Sequence, residues 1–110
     1  MSTSSLAEKK CGQCEGGVGP LGGSDLERLK RELNSEWKVV EGKRLERKYK
    51  FKDFKAALDF TNRLGELAEQ EGHHPDLGLG WGYVNVQLWT HSAGGLTESD
   101  FIMAAKVDRI

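Results

Sequence analysis

Every histidine of this chain lies in one short window: His73 and His74 stand side by side before Pro75, and His91 closes it. Imidazole, with an unperturbed pKa of about 6.5, is the side chain that both gives and takes a proton near neutral pH. All three gathered beside a conformationally fixed proline point to proton transfer as the chemistry of the site. Pro75 biases His74 away from helical geometry, and adjacent side chains of an extended segment point to opposite sides. His73 and His74 are therefore expected to have different duties. The same opposition argues against a three-histidine zinc centre, so no metal is expected. A carboxylate or a carbonyl usually fixes the orientation of a working imidazole, and Glu69, Glu71, Asp76 and Asp100 are the nearby carboxylates.

The elements that must position these residues can be read from periodicity and caps. Ser24-Asp25-Leu26-Glu27 has the pattern of a capping box, and Leu26, Leu29 and Leu33 recur at helical spacing, predicting a short helix ending near Asn34. Trp37 to Val40 and Leu45 to Phe51 predict two antiparallel strands around a turn at Glu41-Gly42. Arg47 interrupts the apolar face of the second strand, which suggests a strand end or a subunit contact. Asp53 is a good N-cap for the longest helix, whose stripe Phe54, Ala57, Leu58, Thr61, Leu64 and Ala68 runs to a stop at Gly72. Gly65 inside that stripe suggests close packing against a neighbour. Leu77 to Tyr83 alternates large residues with Gly78, Gly80 and Gly82, a glycine-paved strand face that a flat ligand or another backbone can approach. Val84, Val86, Leu88 and Thr90 then share one side of a strand, with Asn85, Gln87, Trp89 and His91 on the other. Thr97 caps a last helix with Phe101, Ala104 and Ala105 on its apolar side. This order predicts an α+β fold, a four-stranded antiparallel sheet with three helices packed on one face.

The whole-chain properties narrow the function classes. The 110 residues suffice for one core, and a formal charge of −1 argues against a general nucleic-acid binder. No apolar run approaches a membrane span and the first residues lack a signal-peptide layout, so a cytoplasmic protein is expected. Six of the fourteen glycines precede Ser24, so residues 1–23 read as a flexible arm and 24–110 as the folded domain. Cys11 and Cys14 supply half of a structural zinc site at most; a reduced leader is the preferred reading, a site completed by another subunit the alternative. From Lys43 to Lys55 seven basic residues face two acidic ones, read as a solvated hairpin face with an anion-attracting patch as the alternative. Trp37, Trp81 and Trp89 can be core or interface aromatics, the reading favoured for Trp81.

Together these residues resemble the pterin-4a-carbinolamine dehydratase family. The resemblance rests on Glu69 four residues before His73-His74-Pro75, Trp81 six after that proline, and Thr90-His91. It continues through Gly95-Leu96-Thr97, Asp100-Phe101, Trp37 and Phe51-Lys52-Asp53-Phe54, and covers about residues 24–110. The leader from Cys11 to Gly17 is similar to an extension on some bacterial and plant members. The resemblance implies a lyase that dehydrates 4a-hydroxytetrahydrobiopterin to the quinonoid dihydropterin, in recycling of the cofactor of aromatic amino-acid hydroxylases. It implies no metal or organic cofactor. It maps His73 and His91 onto the acid/base pair and His74 onto substrate positioning. Pro75, Glu69, Trp37 and Asp100 map onto the substrate-binding pocket. It leaves open which imidazole is the acid. Gly78, Gly80, Gly82 and Trp89 depart from the pattern in ways that suit a different pterin. A homodimer or homotetramer is implied, without direct nucleic-acid or membrane contact. The alternative is a protein-binding member, since some animal relatives stabilise a transcription-factor dimer and some plant ones assist assembly of a carbon-fixing enzyme.

Overall fold

A computed structural model describes residues 22–90 and 93–110; Cys11, Cys14, most of the expected arm and His91 lie outside the described residues. Helix α1 (Gly23–Arg31) precedes strands β1 (Lys38–Val40) and β2 (Arg44–Lys50). Helix α2 (Phe54–Glu71), the hairpin of β3 (Asp76–Gly80) and β4 (Tyr83–Leu88), and helix α3 (Glu98–Val107) follow. The strands form one antiparallel sheet in the order β1-β2-β4-β3. The expected α+β architecture is present. Strand alternation explains which face the helices cover: Leu45, Val84, Val86 and Leu88 are fully buried, while Glu46, Asn85 and Gln87 point to the other side.

Asp53 caps α2 as expected, its Oδ1 accepting the Ala56 N–H at 2.8 Å. Ala57, Phe60, Leu64 and Ala68 form the buried face of α2. Gly65 does not mark a close approach among the described residues, because a Cβ there would meet nothing within 4 Å. The capping box at Ser24 does not form. The helix starts at Gly23 with Gly22 as N-cap, so Ser24 already lies in the first turn, past the position from which a hydroxyl reaches the free N–H groups.

The last helix is more central than its sequence suggests. Phe101, Ile102, Met103, Ala104, Ala105 and Val107 are all buried, so α3 is enclosed on most sides by the sheet and the other two helices. Its far end resolves the interruption at Arg47, which lies mid-strand in β2 on the helix-covered face. There Arg47 Nη1 donates to Asp108 Oδ1 at 3.0 Å and its guanidinium lies 4.4 Å from the Tyr49 ring centre. A carboxylate at a helix C-terminus opposes the helix dipole, and this guanidinium offsets that cost. The charge is thus paired within the chain and does not mark a strand end.

The hairpin corrects the reading of a glycine-paved ligand face. Gly82 belongs to the turn, and Gly80 pairs with Tyr83, whose ring covers it: a Cβ on Gly80 would sit 2.2 Å from that ring. Trp81 is 69 % exposed at the turn, so it is not a core residue.

Candidate functional site

The path of the chain to His73 is set by the end of α2. Gly72 adopts the left-handed conformation (φ 66°), and the His73 N–H then donates to the Ala68 carbonyl at 3.2 Å. This is the helix-ending pattern in which the residue after a left-handed glycine bonds back across the last turn. The His73 backbone is held by the helix itself, and its side chain is only 12 % exposed.

Asp100 meets that imidazole from the first turn of α3. Its Oδ1 lies 2.7 Å from His73 Nε2, and the carboxylate is fully buried. The other oxygen, Oδ2, accepts the Thr97 backbone N–H and the Thr90 hydroxyl, each at 2.9 Å. Thr90 Oγ1 and Thr97 Oγ1 are a further 2.9 Å apart. Counting protons orders the network. Thr90 spends its one hydrogen on Asp100, so the Thr97 hydroxyl donates to Thr90. Where Asp100 is ionised it only accepts, and His73 then carries the proton on Nε2. A neutral His73 is then the Nε2–H tautomer, and its Nδ1 lone pair has no hydrogen bond among the described residues. That nitrogen is where a proton could be taken from a ligand.

His74 takes the other direction. Its Nε2 lies 2.6 Å from Glu69 Oε2, and both side chains are largely in solvent. The two adjacent histidines are thus oriented by two different carboxylates, as opposed side chains require. Glu71 instead reaches Lys106 at 3.6 Å, which ties the end of α2 to α3. Asp76 opens β3. Pro75, half-buried, links the pair to that strand.

Two of the expected pocket residues have other surroundings. Asp100 is sealed beneath His73 and offers no surface to a ligand. Trp37 is fully buried, and its Nε1 donates to Asp108 Oδ2 at 3.0 Å. Asp100 and Asp108 are separated by eight helical positions, about 12 Å along the axis, so Trp37 is held at the opposite end of α3 from His73. Thr90 and Thr97 also belong to the site, although neither carries an acid/base group. The sequence signal for Thr97 was its capping-box spacing to Asp100.

Among the described residues no three His, Cys, Asp or Glu side chains gather as a metal ion would need. A cavity of about 360 Å³ lies on the uncovered face of the sheet, lined in part by Lys38, Glu46, Lys48, Lys50 and Asn85. Lys48 and Lys50 of β2 reach this face, whereas Arg47, His73 and Asp100 lie toward the helices. No helix is long and apolar enough to cross a membrane, among the described residues.

Comparison with known proteins adds to this geometry. The family described as pterin 4 alpha carbinolamine dehydratase matches residues 20–110. A Rubrobacter xylanophilus protein carrying the name "Putative pterin-4-alpha-carbinolamine dehydratase" is 55 % identical over 107 residues, covering 97 % of this chain and 99 % of its own. An Alkaliphilus metalliredigens protein of the same name is 54 % identical, covering 94 % of each. Among solved structures, a transcriptional coactivator/pterin dehydratase from Brucella melitensis superposes with a TM-score of 0.77 at 36 % identity, over 83 % of this chain and 97 % of the other. A pterin dehydratase-like protein described as a RuBisCO assembly factor in the alpha-carboxysome gives 0.58 at 26 % identity, over 67 % of this chain and 87 % of the other.

Proposed function

Since this chain belongs to the pterin-4-alpha-carbinolamine dehydratase family, we propose that it dehydrates 4a-hydroxytetrahydrobiopterin to the quinonoid dihydropterin, serving tetrahydrobiopterin recycling. The observation that carries this reading is the His73 imidazole, anchored through Nε2 by buried Asp100, with no hydrogen bond at Nδ1 among the described residues. In the reaction the C4a–oxygen bond breaks, the departing hydroxyl gains a proton and leaves as water, and a ring N–H loses a proton as a C=N bond forms. Two proton-transfer groups suit these steps, and His73 and His91 are the pair proposed. His74, steadied by Glu69, and Pro75 beside it are proposed to contact the pterin. Asp100 acts through His73 rather than on the substrate, and Trp37 acts in folding. No metal or organic cofactor is required by this chemistry.

A dehydration assay with 4a-hydroxytetrahydrobiopterin, corrected for the spontaneous reaction, tests the reading. Loss of a general acid or base should lower turnover by about 10² to 10⁴ in His73→Ala and in His91→Ala. Undiminished turnover in the double variant would overturn it.

Assembly into a dimer or tetramer in the cytoplasm accompanies this reading. Its support is the edge strand β3, paired on one side only among the described residues and carrying Leu77 and Leu79 at 39 % and 37 % exposure. An unpaired apolar edge is a template for another chain, and Leu79→Lys should release monomers in sedimentation.

A second reading, a protein-binding member with or without turnover, is supported by the descriptions of the two solved relatives as coactivator and assembly factor. A wild-type chain without dehydration activity that holds a defined protein partner stoichiometrically would favour it.

A further inference from the structure

We propose that Thr90 is a positioning residue for His73, acting through Asp100, and that its hydroxyl holds the imidazole in the Nε2–H tautomer. The proposal rests on reading His73 as the acid/base group.

Asp100 has two restraints on Oδ2. The Thr97 N–H belongs to the start of the same helix, so it fixes the carboxylate only relative to α3. The Thr90 hydroxyl comes from beyond the end of β4, so among the described residues it alone ties Oδ2 to the sheet side. Without it Oδ2 keeps one donor, the carboxylate can turn about its own bond, and Oδ1 loses its fixed aim at His73 Nε2. A buried carboxylate that lacks a partner also competes for any proton within reach.

The backbone of Thr90 is itself pinned. Its N–H donates to the Gly95 carbonyl at 2.9 Å, and its own carbonyl accepts from Ala93 at 3.1 Å and Gly95 at 3.4 Å. Thr90 cannot follow the carboxylate if the latter moves, which makes it an anchor. His91 is the next residue in the chain. One threonine thus steadies the His73 ring and begins the segment that carries the second proposed acid/base histidine.

The test uses the full-length protein with Thr90→Val, which keeps the shape and removes the hydroxyl, and Thr90→Ser, which keeps the hydroxyl. Imidazole ¹⁵N NMR reads the His73 tautomer, independently of turnover. Wild type and Thr90→Ser should show the Nε2–H form, and Thr90→Val a mixture of tautomers. In dehydration assays Thr90→Val should lose on the order of 10- to 100-fold in kcat with little change in KM, as small misplacements of reacting groups do, and Thr90→Ser should recover most of it. An unchanged tautomer in folded Thr90→Val overturns the proposal, as does failure of Thr90→Ser to restore it. Should Thr90→Val not fold, the wild-type spectrum decides: a His73 lacking the Nε2–H form overturns the proposal, and its presence with the same form kept in Thr90→Ser supports it. A tautomer that responds in a chain without dehydratase activity would uphold the role of Thr90 and remove only the proposed function.

Discussion

Trp37 and Asp108, 71 positions apart in sequence, meet through a 3.0 Å hydrogen bond from the indole Nε1 to Oδ2. The same carboxylate accepts from Arg47 and from the Tyr49 hydroxyl through Oδ1. One residue at the end of α3 thereby joins the last helix to β2 and to the segment before β1.

Asp108→Ala should therefore destabilise the fold. It strands the N–H of a fully buried indole, a loss of roughly 1–3 kcal/mol, and it also removes the acceptor of the Arg47 guanidinium and the Tyr49 hydroxyl. Urea unfolding measures the change. Turnover per folded molecule should stay near wild type, because this cluster lies at the opposite end of α3 from His73.

Tyr49 gives a pH dependence of known sign. Burial, followed by the neighbouring Asp108, pushes its hydroxyl well above the ordinary tyrosine value. An unfolded tyrosine ionises near about 10, so the contribution of Tyr49 is complete below that pH. Above it the unfolded state releases a proton that the folded state keeps, and stability falls. Unfolding free energy followed from pH 9 upward should decline in wild type, and this part of the decline should vanish in Tyr49→Phe.

Gly65→Ala should stabilise the chain by about 1 kcal/mol, the usual helical difference between the two residues. A methyl there meets nothing within 4 Å. A higher thermal midpoint with unchanged oligomeric mass is the expected result. A drop in mass would show that a second chain packs against this position.

Gly80→Ala should leave KM unchanged, since its hydrogen faces the Tyr83 ring on the side of the sheet away from the helices. The added methyl displaces that half-exposed ring and weakens its contact with Lys48, whose Nζ lies 5.0 Å from the ring centre. The cost should be at most about 1 kcal/mol, comparable to an exposed cation–π contact. Denaturation of Gly80→Ala beside Tyr83→Ala checks it: the two losses should not add.

What the sequence determined by itself is local or periodic. Asp53 and Gly72 bracket α2 because a cap and a left-handed stop need only a few neighbouring residues. Alternation in Val84, Val86 and Leu88 sets the buried face of β4 without reference to what covers it. The divergence of His73 and His74 toward different carboxylates is legible in His73-His74-Pro75 for the same reason. The failures share a cause. Ser24 to Glu27 offered a cap that a helix starting two residues earlier left unused, and Gly65 hinted at a neighbour that the described residues do not supply. Which carboxylate serves His73 was decided by the docking of α3 against the end of α2, bringing together residues 27 apart. Asp100, Arg47 and Trp37 took their roles from that packing, because a buried polar group must find a partner wherever the fold places one.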